Sequence, residues 1–237
     1  MTRAKIYHSP GFIWHLTQRC HNRDFHLKFI QDRKNWLSWL FKAKKKYGLI
    51  ILNYIVTSNH IHLLVYNDGQ KDVISRSMLL VSSRTAIDYN KRKKRSGAFW
   101  EDNYHATAVG TDEHFLECLL YIDLNMVRAG AVKHPQEWPM SGYNEIMDRQ
   151  KKRYRLIDKT KLMQMLDIFD ISELKKQYEN WTREKLSLRP QQREEKWTEA
   201  FAVGSKEFIE NYQKIIGEKL HHKIYDDGKG GYILKNN

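Results

Sequence analysis

Nine residues restrict what this chain can fold into more than any others: Thr57-Ser58-Asn59-His60-Ile61-His62-Leu63-Leu64-Val65. An aliphatic and β-branched run, Ile50 to Val56, precedes the polar centre, and Leu63 to Val65 forms a second run after it. Polar turn residues between two such runs predict two strands joined by a tight turn at Ser58-Asn59. Side chains alternate faces along a strand, so His60 and His62 project together while Ile61 points toward a core. Two adjacent imidazoles are half of a metal site. A His-x-His pair also occurs as plain surface or packing histidines, so the rest of the chain must decide.

The flanking segments give the frame. Gly11 to Arg19 is aromatic and β-branched and reads as a first strand, followed by a polar loop, Cys20 to Asp24. Asp32 to Tyr47 carries Trp36, Leu37, Leu40 and Phe41 at helical spacing, with lysines toward its end and Gly48 as its stop. Asp72 to Arg92 reads as a helix capped by Asp72. Ala98 to Val109 reads as a strand or bent β-segment, and a helix from Thr111 or Asp112 to Arg128 ends at Gly130. The order β-α-β-β-α-β, then a helix, predicts an α+β protein. Its centre is a ferredoxin-like split βαβ antiparallel sheet with helices on one face and the histidine strand inside.

Beyond this unit, His134 to Tyr143 is a connector and Arg149 to Arg155 a basic hinge. Helices are expected over Lys159–Phe169, Ser172–Leu186 and Glu195–Gly217, with a break at Pro190 and a loose tail from Asp226. The division is therefore a catalytic domain, 1–147, and a helical, basic extension, 148–237.

Charge limits the function classes. The net charge of +13 calls for a polyanionic partner, most simply nucleic acid. Both parts share the excess, with 22 Lys and Arg against 14 Asp and Glu over 1–150 and 19 against 14 over 151–237. Candidate phosphate contacts are Arg19, Arg23, the run Lys91, Arg92, Lys93, Lys94 and Arg95, and Arg128. No stretch of about 18 apolar residues exists, so no membrane partner is expected. Met1 to Pro10 lacks the apolar core of a secretory signal, and Cys20 and Cys118 are too few for a disulfide framework. A reducing cytoplasm suits both features. A monomer or a homodimer fits equally well.

The helix after the last strand of the unit carries the second set of reactive groups. At about 100° per residue, His114, Glu117, Tyr121, Asn125 and Arg128 fall in one narrow stripe, while apolar residues cover most of the remainder. Asp123 interrupts the apolar arc without a reason in the pattern. An ordinary solvent face favours Lys, Glu and Gln, so Tyr121 and Asn125 at the stripe's centre suggest chemistry. His60, His62 and the Asn125 carboxamide offer nitrogen and oxygen ligands suited to Mg²⁺ or Mn²⁺, and also to Zn²⁺. A phenol on the same helix is a nucleophile able to form a covalent intermediate. Together they suggest strand transfer through phosphotyrosine.

The motifs SNHIHLLV, FWEDNYHATAV and YIDLNMVRAGAV occur in this order at separations that resemble the single-tyrosine HUH transposases, most closely the REP-associated tyrosine transposases. The resemblance spans about residues 8–147 and implies a ferredoxin-like domain that cuts and rejoins single-stranded, hairpin-bearing DNA through a 5′-phosphotyrosine. It implies Tyr121 as nucleophile and His60, His62 and Asn125 as ligands of a divalent metal, Mg²⁺ or Mn²⁺. Two departures stand out: Met126 replaces the family's usual proline, and Met140-Ser141-Gly142-Tyr143 replaces a Trp-Ser-Ser-Tyr-like string. Tyr104 is the rival nucleophile, with base stacking or packing as its simpler role. His105 and His114 read as polar or core-edge residues, and His221 and His222 as a solvated pair. Two other functions remain open: a DNA-binding protein that does not cut, and a metal-dependent nuclease that uses water.

Overall fold

The structure, a computed structural model, describes residues 8–111, 113–149, 154–188, 193–217 and 222–236. The expected β-α-β-β-α-β unit forms in order: β1 (Ile13–Arg19), α1 (Ile30–Tyr47), β2 (Ile50–Val56), β3 (His60–Tyr66), α2 (Val73–Lys93) and β4 (His105–Val109). The strands align as β2-β3-β1-β4, so β3 lies inside the sheet. It runs antiparallel to β1, with His60 opposite Arg19 and His62 opposite Thr17. β4 runs antiparallel to β1 on the other side, with His105 opposite Thr17 and Thr107 opposite His15.

The alternation of each strand divides the sheet into two faces. Trp14, Leu16, Ile61, Leu63 and Val65 point to one, all fully buried. Each such side chain contributes about 1.5–3 kcal/mol by leaving water. The helices α1 and α2 cover this face, and Ser82 of α2 donates to Gln18 of β1 at 2.7 Å. The other face carries His15, Thr17, His60 and His62. The helices α3 (Glu113–Asp123) and α4 (Asn125–Arg128) lie over it. Asn53, buried on β2, anchors α3 by donating to the Leu119 carbonyl at 3.2 Å and to Asp123 Oδ1 at 3.0 Å. Tyr178 donates to the second Asp123 oxygen at 2.5 Å, so the carboxylate that broke the apolar arc is a buried tie.

The connector covers the outer edge of β2, which blunts an otherwise exposed strand. Val56 N donates to the Met140 carbonyl and Gly142 N to the Tyr54 carbonyl. The turn α5 (Tyr143–Ile146) follows, and its Glu145 accepts from the Leu156 and Ile157 amides and from the Tyr54 hydroxyl. Gly142 sits so close to β2 that a Cβ there would lie 2.1 Å from Asn53 Oδ1.

The C-terminal part is helix-rich, with α6 (Lys159–Met165), α7 (Ile171–Ser187), α8 (Lys196–Glu199) and α9 (Lys206–Ile216). It also completes the sheet, through β5 (Ala202–Gly204), β6 (His222–Asp226) and β7 (Tyr232–Asn236). The full order is β2-β3-β1-β4-β5-β7-β6, with β4 and β5 parallel and the remaining pairs antiparallel.

Several local expectations change. The helix expected over Glu195–Gly217 is two helices separated by β5, because Ala202 and Val203 pair with Ala108 and Val109. The tail expected to be loose is strand β7, held by β5 and β6. Only His105–Val109 of the 98–109 segment is strand, with Trp100 bridging to Cys20. Asp72 does not cap α2 with its side chain, since its left-handed backbone (φ 60°) departs from the extended geometry a cap requires. His222 is buried against Phe201, with ring centroids 4.3 Å apart, so it is not a solvated residue. His221, Pro190, Asp112 and 150–153 of the expected hinge lie outside the described residues. No helix among the described residues is long and apolar enough to cross a membrane.

Candidate active site

The turn between β2 and β3 aims the first histidine. Thr57 Oγ1 accepts from the His60 amide at 3.1 Å and donates to the His60 carbonyl at 2.8 Å. Asn59 Oδ1 lies 2.8 Å from His60 Nδ1. That acceptor places the ring proton on Nδ1 and leaves the Nε2 lone pair unprotonated. His62, two residues on, is buried beneath α3 and α4. Its Nδ1 lies 2.9 Å from His15 Nε2, and its Nε2 lies 3.0 Å from Asn125 Nδ2. With Asn125 as donor, the His62 lone pair is on Nε2 and its proton is directed at His15.

Both imidazoles are neutral at ordinary pH. Burial lowers the His60 pKa to about 4, helped by the neighbouring Arg19 charge, while a hydrogen bond that the ring donates to the Asn125 side chain opposes the shift. Burial also holds His62 well below its usual range, with His15 and His60 adding to the effect. His15 falls to about 3 through burial and the proximity of His105. Neutral imidazoles with an unprotonated ring nitrogen are what a metal ligand requires. The donor set therefore fits one divalent cation held by His60, His62 and the carboxamide of Asn125. Among the described residues no cluster of three or more His, Cys, Asp or Glu provides a rival site.

Tyr121 stands beside this pair within the same chain. Its ring centroid lies 5.8 Å from that of His62 and 6.2 Å from that of His15. The Arg128 guanidinium sits 4.0 Å over the Tyr121 ring, and its Nη2 donates to the Tyr121 carbonyl at 2.7 Å. Trp197 of α8 walls the ring, with centroids 6.0 Å apart. Burial raises the Tyr121 pKa, while Arg128 and Arg193 work against that rise. The phenol is thus protonated at rest and faces cations that favour its ionised form.

His60, His62, Tyr121, Asn125 and Arg128 line one cleft of about 620 Å³, which also contains Arg19, Glu101, His105, Arg193 and Glu199. Of the residues expected from the sequence, Arg19, His60, His62, Tyr121, Asn125 and Arg128 meet there. Arg23 and the 91–95 run do not line it. Arg92 pairs with buried Asp32 of α1, and Arg95 reaches Asn90, the Ala98 carbonyl and His26. Lys91, Lys93 and Lys94 remain exposed. Tyr104 lies outside the cleft, near His8 and Ser75. His114 is buried away from it, beside Gly231.

Two residues of the site were missed in the sequence, His15 buried behind His62 and Arg193 in the cleft wall. His15 shares a face with Thr17 and Arg19, and strand alternation alone could have flagged it. Arg193, which donates to Thr198 and Glu199 at 2.8 and 2.9 Å, comes from the C-terminal part and carries no motif.

Residues 9–125 match the family described as Transposase IS200 like. The chain is similar to a solved structure described as the REP-associated tyrosine transposase bound to a REP hairpin. The two are 20% identical, with 63% of this chain and 87% of that chain covered and a TM-score of 0.53. At that identity the similarity speaks to the fold. A putative transposase from Deinococcus radiodurans R1 matches at 17% identity, over 52% of this chain and 95% of that one, with a TM-score of 0.36. The comparison with curated proteins gave no match.

Proposed function

We propose that this chain, a member of the IS200-like transposase family through its residues 9–125, cleaves and rejoins single-stranded, hairpin-bearing DNA with Tyr121 as nucleophile. The observation that carries this reading is the Tyr121 ring 5.8 Å from His62 in one cleft of one chain, with Arg128 stacked 4.0 Å over it. Catalysis belongs to residues 1–147, and 148–237 is the basic extension that walls the cleft.

His60, His62 and Asn125 would hold a divalent metal, Mg²⁺ or Mn²⁺, the last through Oδ1 after its amide turns over. When bound, such a cation draws charge from the scissile phosphate. The chain's own groups do the rest. Arg19 and Arg193 bring positive charge to the strand's phosphates in the cleft. The Tyr121 oxygen attacks phosphorus, the bond to the 3′-oxygen breaks, and a 5′-phosphotyrosine and a free 3′-hydroxyl result. The proton lost by the phenol balances the proton gained by the released oxygen. A 3′-hydroxyl attacking in reverse restores the phosphodiester, so resealing consumes no nucleotide.

Tyr121→Phe tests this directly. The ring keeps its packing against His62, Arg128 and Trp197, so the variant folds and binds hairpin DNA like the parent. On a denaturing gel with labelled single strands and metal, it forms no protein-linked band, whereas Tyr104→Phe does. A linked band persisting in Tyr121→Phe would move the nucleophile elsewhere.

A further inference from the structure

We infer that Phe25 and Phe29 form a stacking platform for unpaired bases of a single DNA strand, with Lys28, Lys93 and Lys94 taking its phosphates. This rests on the reading of the chain as one that acts on single-stranded DNA. Phe25 is 64% exposed and Phe29 54%. Such exposure leaves two large apolar faces in water on a loop that is otherwise anchored.

The anchoring is extensive. Leu27, between the two phenylalanines, is fully buried, and its amide donates to the Ser58 carbonyl at 2.9 Å. Arg33 Nη1 holds the Leu27 and Lys28 carbonyls at 2.8 and 2.7 Å. The His26 ring packs 5.2 Å from both Tyr89 and Phe99. The phenyl rings are therefore presented by a fixed backbone. A pre-placed ring loses little freedom when a base stacks on it.

Charge selects the occupant. Lys93 Nζ lies 5.0 Å over the Phe29 ring, and Lys28, Lys91 and Lys94 are exposed nearby in sequence or on the same helix end. The arginines of the run tie α2 to α1 and to the loop, which leaves its lysines facing solvent. Asp24 is the one acid beside Phe25 in the loop, and it sits 4.0 Å from His26. An aromatic pair among lysines suits a strand that has both bases and phosphates. The loop also borders the site: Asn59 Nδ2 donates to the Arg23 carbonyl, and Cys20 N to the Asn59 carbonyl, in the turn that leads to His60. The loop follows directly in the chain from Arg19, which lines the cleft.

The test uses the full chain without metal and hairpin oligonucleotides whose unpaired flanks carry 2-aminopurine at successive positions. The parent quenches the fluorophore at one or two positions. The double variant Phe25→Ala/Phe29→Ala abolishes the quench and weakens binding about tenfold or more, since a stacked base is worth about 1–3 kcal/mol, while the salt slope stays. Lys93→Gln/Lys94→Gln lowers the slope by about 0.7 for each phosphate no longer neutralised. Phe→Tyr at both positions retains the quench. Parent-like affinity and fluorescence in the Ala variant would overturn the proposal, as would a parent that never quenches. Unchanged DNA binding with a shift from dimer to monomer in sedimentation would assign the patch to a second copy instead. Adduct formation is scored separately: quenching without an adduct defeats the cleavage reading alone, and an adduct without quenching defeats the platform alone.

Discussion

At the scale of single residues, His15 shows how a buried group can orient His62, the proposed metal ligand, without replacing it. Its Nε2 accepts the proton of His62 Nδ1, and the two rings stack with centroids 5.0 Å apart. That hydrogen bond fixes the His62 tautomer and keeps the opposite lone pair directed at Asn125. Partners of this kind typically change metal affinity about 10–100-fold when removed. His15→Leu fills the space but leaves a buried donor unsatisfied, at a cost of about 1–3 kcal/mol. It should therefore bind Mn²⁺ about 10–100-fold more weakly by calorimetry while keeping its circular dichroism spectrum. His15→Gln, which restores an acceptor, should recover part of the affinity. Equal affinity in the Leu variant would reduce His15 to packing.

At the scale of elements, Gly142 links the connector to the tyrosine helix. Asn53 holds both the α3 backbone and Asp123, and a Cβ at position 142 would meet its Oδ1 at 2.1 Å. Gly142→Ala must push Asn53 aside or bend the connector. Overpacking of this kind costs about 1–3 kcal/mol. The thermal midpoint should fall by several degrees, and an unchanged midpoint would mean that Asn53 moves without cost. The same elements show what could be read from the sequence. Strand alternation and helical spacing act locally, so β1 to β4, α1, α2 and the shared face of His60 and His62 were legible. Asp123 was not, because its partners Asn53 and Tyr178 are distant in the chain. Nor was β5: three residues within a helical pattern become strand only because β4 offers an open edge and the Ala200 carbonyl accepts from His105 and Thr107. The division of the 91–95 run into tying arginines and exposed lysines likewise depends on Asp32 and His26, which no charge count locates.

At the scale of the whole molecule, the C-terminal part is locked to the tyrosine helix by one buried cation. Lys196 is 7% exposed and reaches Asp227 at 2.9 Å, Glu117 at 3.3 Å and Glu194 at 3.7 Å. It joins α8, α3 and the turn between β6 and β7, and its neighbour Trp197 is the wall of Tyr121. Burial works against the Asp227 carboxylate, yet hydrogen bonds from Lys196 and from the Lys229 and Gly231 amides prevail and lower its pKa to about 2. Burial likewise disfavours the Lys196 ammonium, and the surrounding carboxylates more than compensate, raising its pKa. Lys196→Met removes one partner and strands the carboxylates, which in buried pairs costs about 3–5 kcal/mol. The pH dependence identifies the cause. A carboxylate with a lowered folded pKa stabilises fully above its unfolded value of 3.8, and that contribution is lost as pH falls toward 2. The ammonium behaves in the opposite sense, stabilising below its unfolded value of 10.5 and losing effect as pH rises through its higher folded value. Denaturant unfolding of parent and Lys196→Met should thus show a constant stability gap from pH 7 to about 4, narrowing between 4 and 2. Tyr121 adduct yield should fall with the gap intact, because the wall at Trp197 loosens before the fold is lost. A gap that stays flat to pH 2, or an unaltered adduct yield in a destabilised variant, would separate the clamp from the tyrosine it borders.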